Sequence, residues 1–413
     1  MGANGSGRGG SVSAMTVVHP ITRAWITTGG TGAQNYDEFA DEAEITEIIA
    51  ANPRSALAVE MPHRAPQSVG RPFLDCLPDA AARLAEAKAA GSYRPAERVV
   101  VLYRITGSSN ETTAYGLFAM VDTDQISTSA QEPGLVIRNE DVFIEKVRER
   151  VALAEAVGHL LSPVLLLQTA RGEELHQALA AACAEAGEPV ATDVDQAGRT
   201  HAIWLVGPGE RQDELCALAG GGELVVADGN HRSLAAQLGR LPRFLAVVTT
   251  PQSVTIQPYN RLVSELTTSA DELMARLRAA GAHIEPIPGM PSVPTTAGVI
   301  QLYLDGQTYA VTLPPVEGSV VDRLDHAIVE RILLRDALGL EPGDKRITYV
   351  GGDYPASWLA GEVDAGRAEL AILIAPVSVD AFVAVNLARQ KMPRKSTWFT
   401  PKARGGLVLA ELS

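Results

Sequence analysis

Cysteine is scarce in this chain: three occur in 413 residues, Cys76, Cys183 and Cys216, far apart and without Cys-x-x-Cys spacing. That pattern excludes a disulfide framework and a Cys-pair zinc site, and a reducing cytoplasm is the expected compartment. Long apolar runs are missing as well. Stretches such as Pro163 to Leu167 fall far below the ~20 residues of a membrane span, and no basic-then-apolar signal peptide opens the chain, so no membrane association is expected. Positive charge is in deficit, with 35 Lys+Arg against 49 Asp+Glu and a formal net charge of −14. Such a balance repels a phosphate backbone, and nucleic acid is not an expected partner. Among the eight histidines there is no His-Glu-x-x-His, and neither Gly-x-Ser-x-Gly nor a P-loop ending in Lys-Ser/Thr occurs. Zinc peptidases and serine hydrolases need those groups at those spacings to meet on one face or turn, so both classes recede. Gly5, Gly7 and Gly10 satisfy a dinucleotide fingerprint by spacing, but no strand precedes them and no helix pattern follows.

What is present is ordinary for a globular protein of about two or three domains, with 46% hydrophobic and 20% charged residues. Residues 1–19, rich in Gly and Ser at their start, read as a flexible leader. Residues 20–130 read as a mixed α+β region: a helix over 41–51 stopped by Asn52-Pro53, a helix near 79–90, and strands at 99–104 and 115–121. From Pro133-Gly134 a second region runs to 262, in which strands at 163–168, 202–206, 224–227 and 244–248 alternate with helices near 172–186 and 210–219. That alternation is α/β organisation. The remainder, 263–413, carries a helix near 268–280, a hairpin turned by Asp305-Gly306, helices near 323–338 and 378–389, and a strand at 369–374. It closes on a basic tail from Lys391 to Lys402.

The stretch from 223 to 240 is the most suggestive. Leu224 to Ala227 make a buried strand, Asp228-Gly229-Asn230 a turn, and from His231 a helix sets Leu234, Ala235 and Leu238 on one side and stops at Gly239. A polar turn leading into a helix N-terminus suits a phosphate, and His231 and Arg232 add donors. The same pattern equally serves a plain strand-turn-helix unit in which Asp228 caps the helix. Glu140 sits just before a helix over about 143–159, where a carboxylate complements the dipole. Ile144, Val147, Val151 and Ala154 form that helix's apolar face, with Lys146 and Arg150 on another side. In the tail, Lys391, Arg394, Lys395 and Lys402 with Ser396, Thr397 and Trp398-Phe399 suit either a phosphate or a clip onto the core. A phosphate-cradling turn, a carboxylate and further cations are most of what phosphoryl transfer needs.

Several of these stretches together resemble the proteins grouped as domain-of-unknown-function family 1015. Its Ala-Asp-Gly-His-His-Arg turn is matched by Ala227 to Arg232, and its closing Met-Pro-x-Lys-Ser-Thr-x-Phe-x-Pro-Lys by Met392 to Lys402, followed by Gly406-Leu407-Val408. Asn35-Tyr36-Asp37, Asn52-Pro53, Tyr103-Arg104, Arg138-Asn139-Glu140, Leu161-Ser162-Pro163 and Tyr259-Asn260-Arg261 match more weakly. The family resembles the free serine kinase branch of the ParB/sulfiredoxin superfamily. The resemblance implies an α/β (mixed α+β) fold with a ParB/sulfiredoxin-like nucleotide-binding core over 131–262, ATP or ADP as nucleotide, and Mg²⁺. It implies that Asp228, Gly229, Asn230, His231, Arg232 and Ser233 hold nucleotide phosphates, Asp228 also serving Mg²⁺ or a hydroxyl. Lys395, Ser396, Thr397 and Lys402 would add nucleotide contacts. Glu140 would accept a hydroxyl proton, with His231 as a further catalytic group, and Arg138, Asn139, Lys146 and Arg150 would face the substrate. Two positions depart: Asn230 and Asn139 stand where the pattern has His, and Asn neither titrates near neutrality nor carries charge. The expected function is a nucleotide-dependent kinase acting on the hydroxyl of serine or a serine-like metabolite, a homodimer being compatible with it. The alternative is a nucleotide-binding regulatory or partner-binding protein that transfers nothing.

Overall fold

The structure is a computed structural model that describes residues 16–412 apart from 33, 37, 40, 108–112, 128–133 and 139. It is a mixed α/β protein built on two large sheets. Among the described residues the first has 13 strands, and its main path runs from Ile126–Ser127 through Val136–Ile137, Leu224–Asp228, Val164–Gln168, Arg243–Thr249, Ala114–Asp122, Tyr93–Thr106, Ile21–Thr27 and Val408–Glu411 to His159–Leu160. Most pairs are antiparallel, but Arg243–Thr249 lies parallel to Val164–Gln168, and Val136–Ile137 lies parallel to both Leu224–Asp228 and Ile126–Ser127. Alternation along Tyr93–Thr106 explains how both faces are used. Val99, Val101, Tyr103 and Ile105 enter one apolar cluster, whereas Val100 and Leu102 enter another. Helices Gly172–Glu185 and Glu210–Ala219 cover the second face, while Val379–Leu387 and the closing tail cover the first.

The sheet joins segments that local pattern separates. Strands from the 20–130 region pair directly with those of 131–262, and the last strand, Val408–Glu411, lies against Ile21–Thr27. Residues 16–19, read above as leader, belong to the fold: Val17 and Val18 are buried and Val18–His19 pairs with Ala114–Asp122. Their β-branched side chains fill the sheet edge, which Gly and Ser upstream could not do.

Among the described residues the second sheet has six strands, all antiparallel, in the order His283–Ile287, Gln307–Thr312, Val299–Leu304, Leu370–Ile374, Tyr259–Val263 and Ile347–Gly351. Its Asp305-Gly306 hairpin has φ 51° and 71° at the two turn residues, as a two-residue turn matched to strand twist requires. Expected helices form at Ile144–Val157, Asn230–Leu238 and Ala270–Ala279. The regular helix expected over 323–338 is instead a short α-turn, Asp325–Ile328, running into a π-helix, Val329–Ala337. No helix among the described residues is long and apolar enough to cross a membrane.

Two helix faces differ from expectation. Helix Asn230–Leu238 buries Asn230, Arg232, Ser233, Ala235 and Ala236, while Leu238 is 49% exposed. Helix Ile144–Val157 buries Val147, Arg150, Leu153 and Val157, and Ile144 faces solvent. In both, an arginine finds carbonyl, carboxylate or aromatic partners inside, which rotates the buried face by a position or two.

Candidate functional site

Strand Leu224–Asp228 carries the chain into a cleft between the two sheets. Val226 sits opposite Leu166 and Asp228 opposite Leu165, so Ala227 is the extra residue of a bulge. A bulge re-aims the residue that follows it, here Asp228. Gly229 then turns the corner with φ 99° and ψ 31°. A Cβ there would lie 3.2 Å from both Arg232 Nε and Val164 Cα, so conformation and space together call for glycine. Helix Asn230–Leu238 begins at once and points its positive end at the cleft.

Asp228 is held from two sides. Its Oδ2 accepts a hydrogen bond from Arg232 Nη2 at 2.8 Å, and its Oδ1 lies 3.9 Å from Lys402 Nζ. Arg232 also donates to the Pro163 carbonyl, which ties the helix to strand Val164–Gln168. His231 Nε2 accepts the Phe143 N–H at 3.1 Å, and the two rings stack 6.2 Å apart. With Nε2 accepting, the neutral ring carries its proton on Nδ1.

The facing wall is the tail. Strand Trp398–Thr400 pairs with Thr255–Gln257, and the Trp398 ring lies so close to Gly351 that a Cβ there would come within 2.3 Å of it. Lys402 Nζ sits 3.9 Å over the Trp398 ring and Lys395 Nζ 5.8 Å from the Tyr259 ring. Tyr36 closes the N-terminal side, and the whole encloses about 530 Å³ including its mouth. Lys395 adopts φ 52°, and its N–H donates to Glu140 Oε1 at 3.2 Å. Burial is the main force pushing the Glu140 carboxyl above the ordinary carboxylate range, and the Asp228 charge adds to it. The Lys395 charge and N–H, and the Arg394 charge, pull the other way and are outweighed. Behind the tail, fully buried Arg261 donates to the Arg394 carbonyl at 3.2 Å and to the carbonyls of Tyr259 and Asn260.

The expected site residues therefore divide. Glu140, Asp228, Gly229, Asn230, His231, Lys395, Thr397 and Lys402 line one cleft. Arg232 and Ser233 lie behind it: Ser233 is fully buried and donates to the Asn230 carbonyl at 3.0 Å. Ser396 is 1% exposed and does not line the cleft. Of the four residues expected at the substrate, Arg138 lines an adjoining cavity that shares Glu140. Arg150 is buried against Tyr36 and Phe73 and donates to the Glu60 carbonyl. Lys146 is exposed beside Phe143, and Asn139 lies outside the described residues. Sequence reasoning missed Tyr36, Tyr259 and Trp398 as cleft walls and Arg389 and Arg394 as lining of the adjoining cavity. Tyr36, Tyr259, Arg394 and Trp398 stand inside the matched strings quoted above, which was the available signal.

Among the described residues no three His, Cys, Asp or Glu side chains cluster as a metal cage. Mg²⁺ does not require one, since it takes one or two carboxylates and completes its shell with water and phosphate oxygens. Asp228 Oδ1 fits that requirement.

No curated protein matches the chain. Among solved structures it is similar to free serine kinase in complex with AMP, at 10% identity and a TM-score of 0.38 over 68% of this chain and 87% of that one. A conserved hypothetical protein from Pyrococcus furiosus aligns at 11% identity and TM-score 0.37, over 70% and 93%. SbnI with a C-terminal truncation, from Staphylococcus aureus, aligns at 12% and 0.36, over 70% and 84%. The sequence pattern of the family described as Protein of unknown function (DUF1015) matches residues 31–327, well over half of the chain, and the chain belongs to that family.

Proposed function

We propose that the cleft binds the phosphates of ATP or ADP and transfers the terminal phosphoryl group to the hydroxyl of a small metabolite such as serine. The observation that carries this reading is Glu140, a carboxyl raised above its ordinary range and set in the same cleft as Asp228, Lys395, Lys402 and a glycine-led helix N-terminus. A carboxylate with a raised pKa is a better proton acceptor. As the acceptor oxygen bonds to phosphorus, its proton passes to Glu140 and the bond to the bridging oxygen of the nucleotide breaks. The nucleotide leaves one phosphate shorter. Lys395, Lys402 and the first turn of helix Asn230–Leu238 would carry the charge on the transferred group, and Mg²⁺, held by Asp228 and the nucleotide, would neutralise the phosphates when bound. Arg232 acts indirectly, by orienting Asp228.

Phosphorus NMR tests this. Purified protein with Mg²⁺, ATP or ADP and a pool of hydroxylated metabolites including L-serine is expected to yield a phosphomonoester signal that depends on one added compound. Glu140→Gln should abolish that signal while nucleotide still binds. Nucleotide that binds and stays intact with every acceptor would replace the kinase by a nucleotide-binding regulator.

A further inference from the structure

Glu140 stands in two walls at once. It also lines a second and larger cavity, about 1310 Å³ including open solvent, lined among others by Arg138, Arg389, Lys391 and Arg394. Two of these cations are already engaged. Lys391 pairs with Asp141, and Arg389 donates to the Gly134 carbonyl at 3.0 Å and lies 3.8 Å from Glu223. The other two differ. The Arg394 guanidinium rests 4.4 Å over the Phe143 ring, and among the described residues neither it nor Arg138 has a carboxylate within ion-pair distance. Among the described residues Arg138 Nε is buried with no hydrogen-bond partner, and burial lowers the guanidinium's affinity for its proton, with Asp141 opposing.

In a chain with 49 acidic and 35 basic side chains, a cavity lined by two guanidinia that make no ion pair among the described residues, one of them with a buried and unpartnered Nε, suits an anion that completes it. Guanidinium forks match the paired oxygens of phosphate or carboxylate. The ammonium of an amino acid would meet two guanidinia there, the Lys391 and Arg389 charges being already paired with Asp141 and Glu223. We propose, building on the phosphoryl-transfer reading but replacing serine as its acceptor, that this cavity is the acceptor site and selects a hydroxylated compound that already carries a dianionic group, a phosphate ester or a pair of carboxylates. Arg138 and Arg394 grip that group and present the free hydroxyl to Glu140.

Calorimetric titration of the full chain with glycerol 3-phosphate, malate, glycerol and L-serine, and separately with ADP, tests this. Glycerol 3-phosphate or malate is expected to bind, the tighter of the two naming the source of the dianion, with glycerol and L-serine far weaker. Arg138→Gln and Arg394→Gln should each weaken that anion by about 10- to 100-fold, the worth of one charge-assisted hydrogen bond, while ADP affinity is retained as proof of a folded cleft. Equal binding of glycerol or L-serine, or unaltered anion binding in both variants, overturns the proposal. The two readings fail separately. ADP binding without any anion binding sinks the acceptor assignment alone, and arginine-dependent anion binding without ADP or ATP binding sinks phosphoryl transfer and leaves an anion site.

Discussion

Replacing Gly229 with alanine isolates the corner on which the cleft depends. Two costs add there. Placing an L-residue at φ 99° costs about 1–2 kcal/mol, since its Cβ crowds the neighbouring carbonyl. The new Cβ also comes within 3.2 Å of Val164 Cα, which is backbone and cannot yield, and of Arg232 Nε, which can. Arg232 must therefore shift and loosen its bond to Asp228, a charge-assisted contact worth about 1.5–3 kcal/mol. Gly366 supplies the control: it has φ 70° and nothing within 4 Å of its Cβ position, so Gly366→Ala incurs only the first cost. Urea unfolding of the two variants beside the parent is expected to show Gly229→Ala losing up to about 2.5–5 kcal/mol and Gly366→Ala about 1–2 kcal/mol. Calorimetry should then show weaker ADP binding in Gly229→Ala alone. Equal stability losses in the two variants, or an unchanged ADP affinity in Gly229→Ala, would refute the argument that this glycine sets Asp228 and the helix N-terminus in place.

Other outcomes follow from the same geometry. Because the folded Glu140 carboxyl titrates above its ordinary 4.5, the folded state holds that proton more tightly than the unfolded chain, and its ionisation costs stability as pH rises through the folded value. Glu140→Gln should thus unfold at higher urea than the parent at pH 8 and at about the same urea at pH 4, and turnover in the parent should rise with pH as the carboxyl ionises. His326 is fully buried with Nε2 on the Tyr259 carbonyl at 3.1 Å. Burial first, then the Arg261 charge, lower its pKa from 6.5 to about 3. It stays neutral in the fold while the unfolded chain takes up a proton below pH 6.5, so stability is lost as pH falls from there towards 3. At pH 5 that loss is about 2 kcal/mol, and His326→Gln should lack it when urea midpoints at pH 7.5 and 5 are compared. Gly351→Val drives a side chain into the Trp398 ring; it should weaken ADP binding and alter Trp398 fluorescence, an effect absent when Trp398→Phe is the background.

What could be read along the chain is what neighbouring residues decide among themselves. The Asp305-Gly306 turn is such a case, because positive φ at two adjacent residues is a local demand. So is the strand, turn and helix from Leu224 to Leu238, where an apolar run meets Asp-Gly-Asn. The buried face of that helix was not legible, since Arg232 turns inward for a carbonyl at Pro163, 69 residues away. Strand Val408–Glu411 reads as an apolar end, but its partner Ile21–Thr27 lies at the opposite end of the chain, and no periodicity announces such a pairing. The π-helix at Val329–Ala337 likewise has the apolar spacing of an ordinary helix and differs only in how its carbonyls are met.

The same limit explains why the cations near Glu140 had to be sorted by structure. Arg232 and Arg394 both look, in sequence, like positive charges inside a matched string. Arg232 has Asp228 one helical turn back and is consumed by it at 2.8 Å. The Arg394 carbonyl is bound by Arg261, and the Arg394 guanidinium rests on an aromatic ring in the lining of the adjoining cavity. One arginine is therefore tied to a carboxylate, while the other makes no ion pair among the described residues and has its backbone carbonyl held by a residue 133 positions earlier. Charge at a motif marks where electrostatic work can be done; which charge does it is decided by the partners that folding brings or withholds.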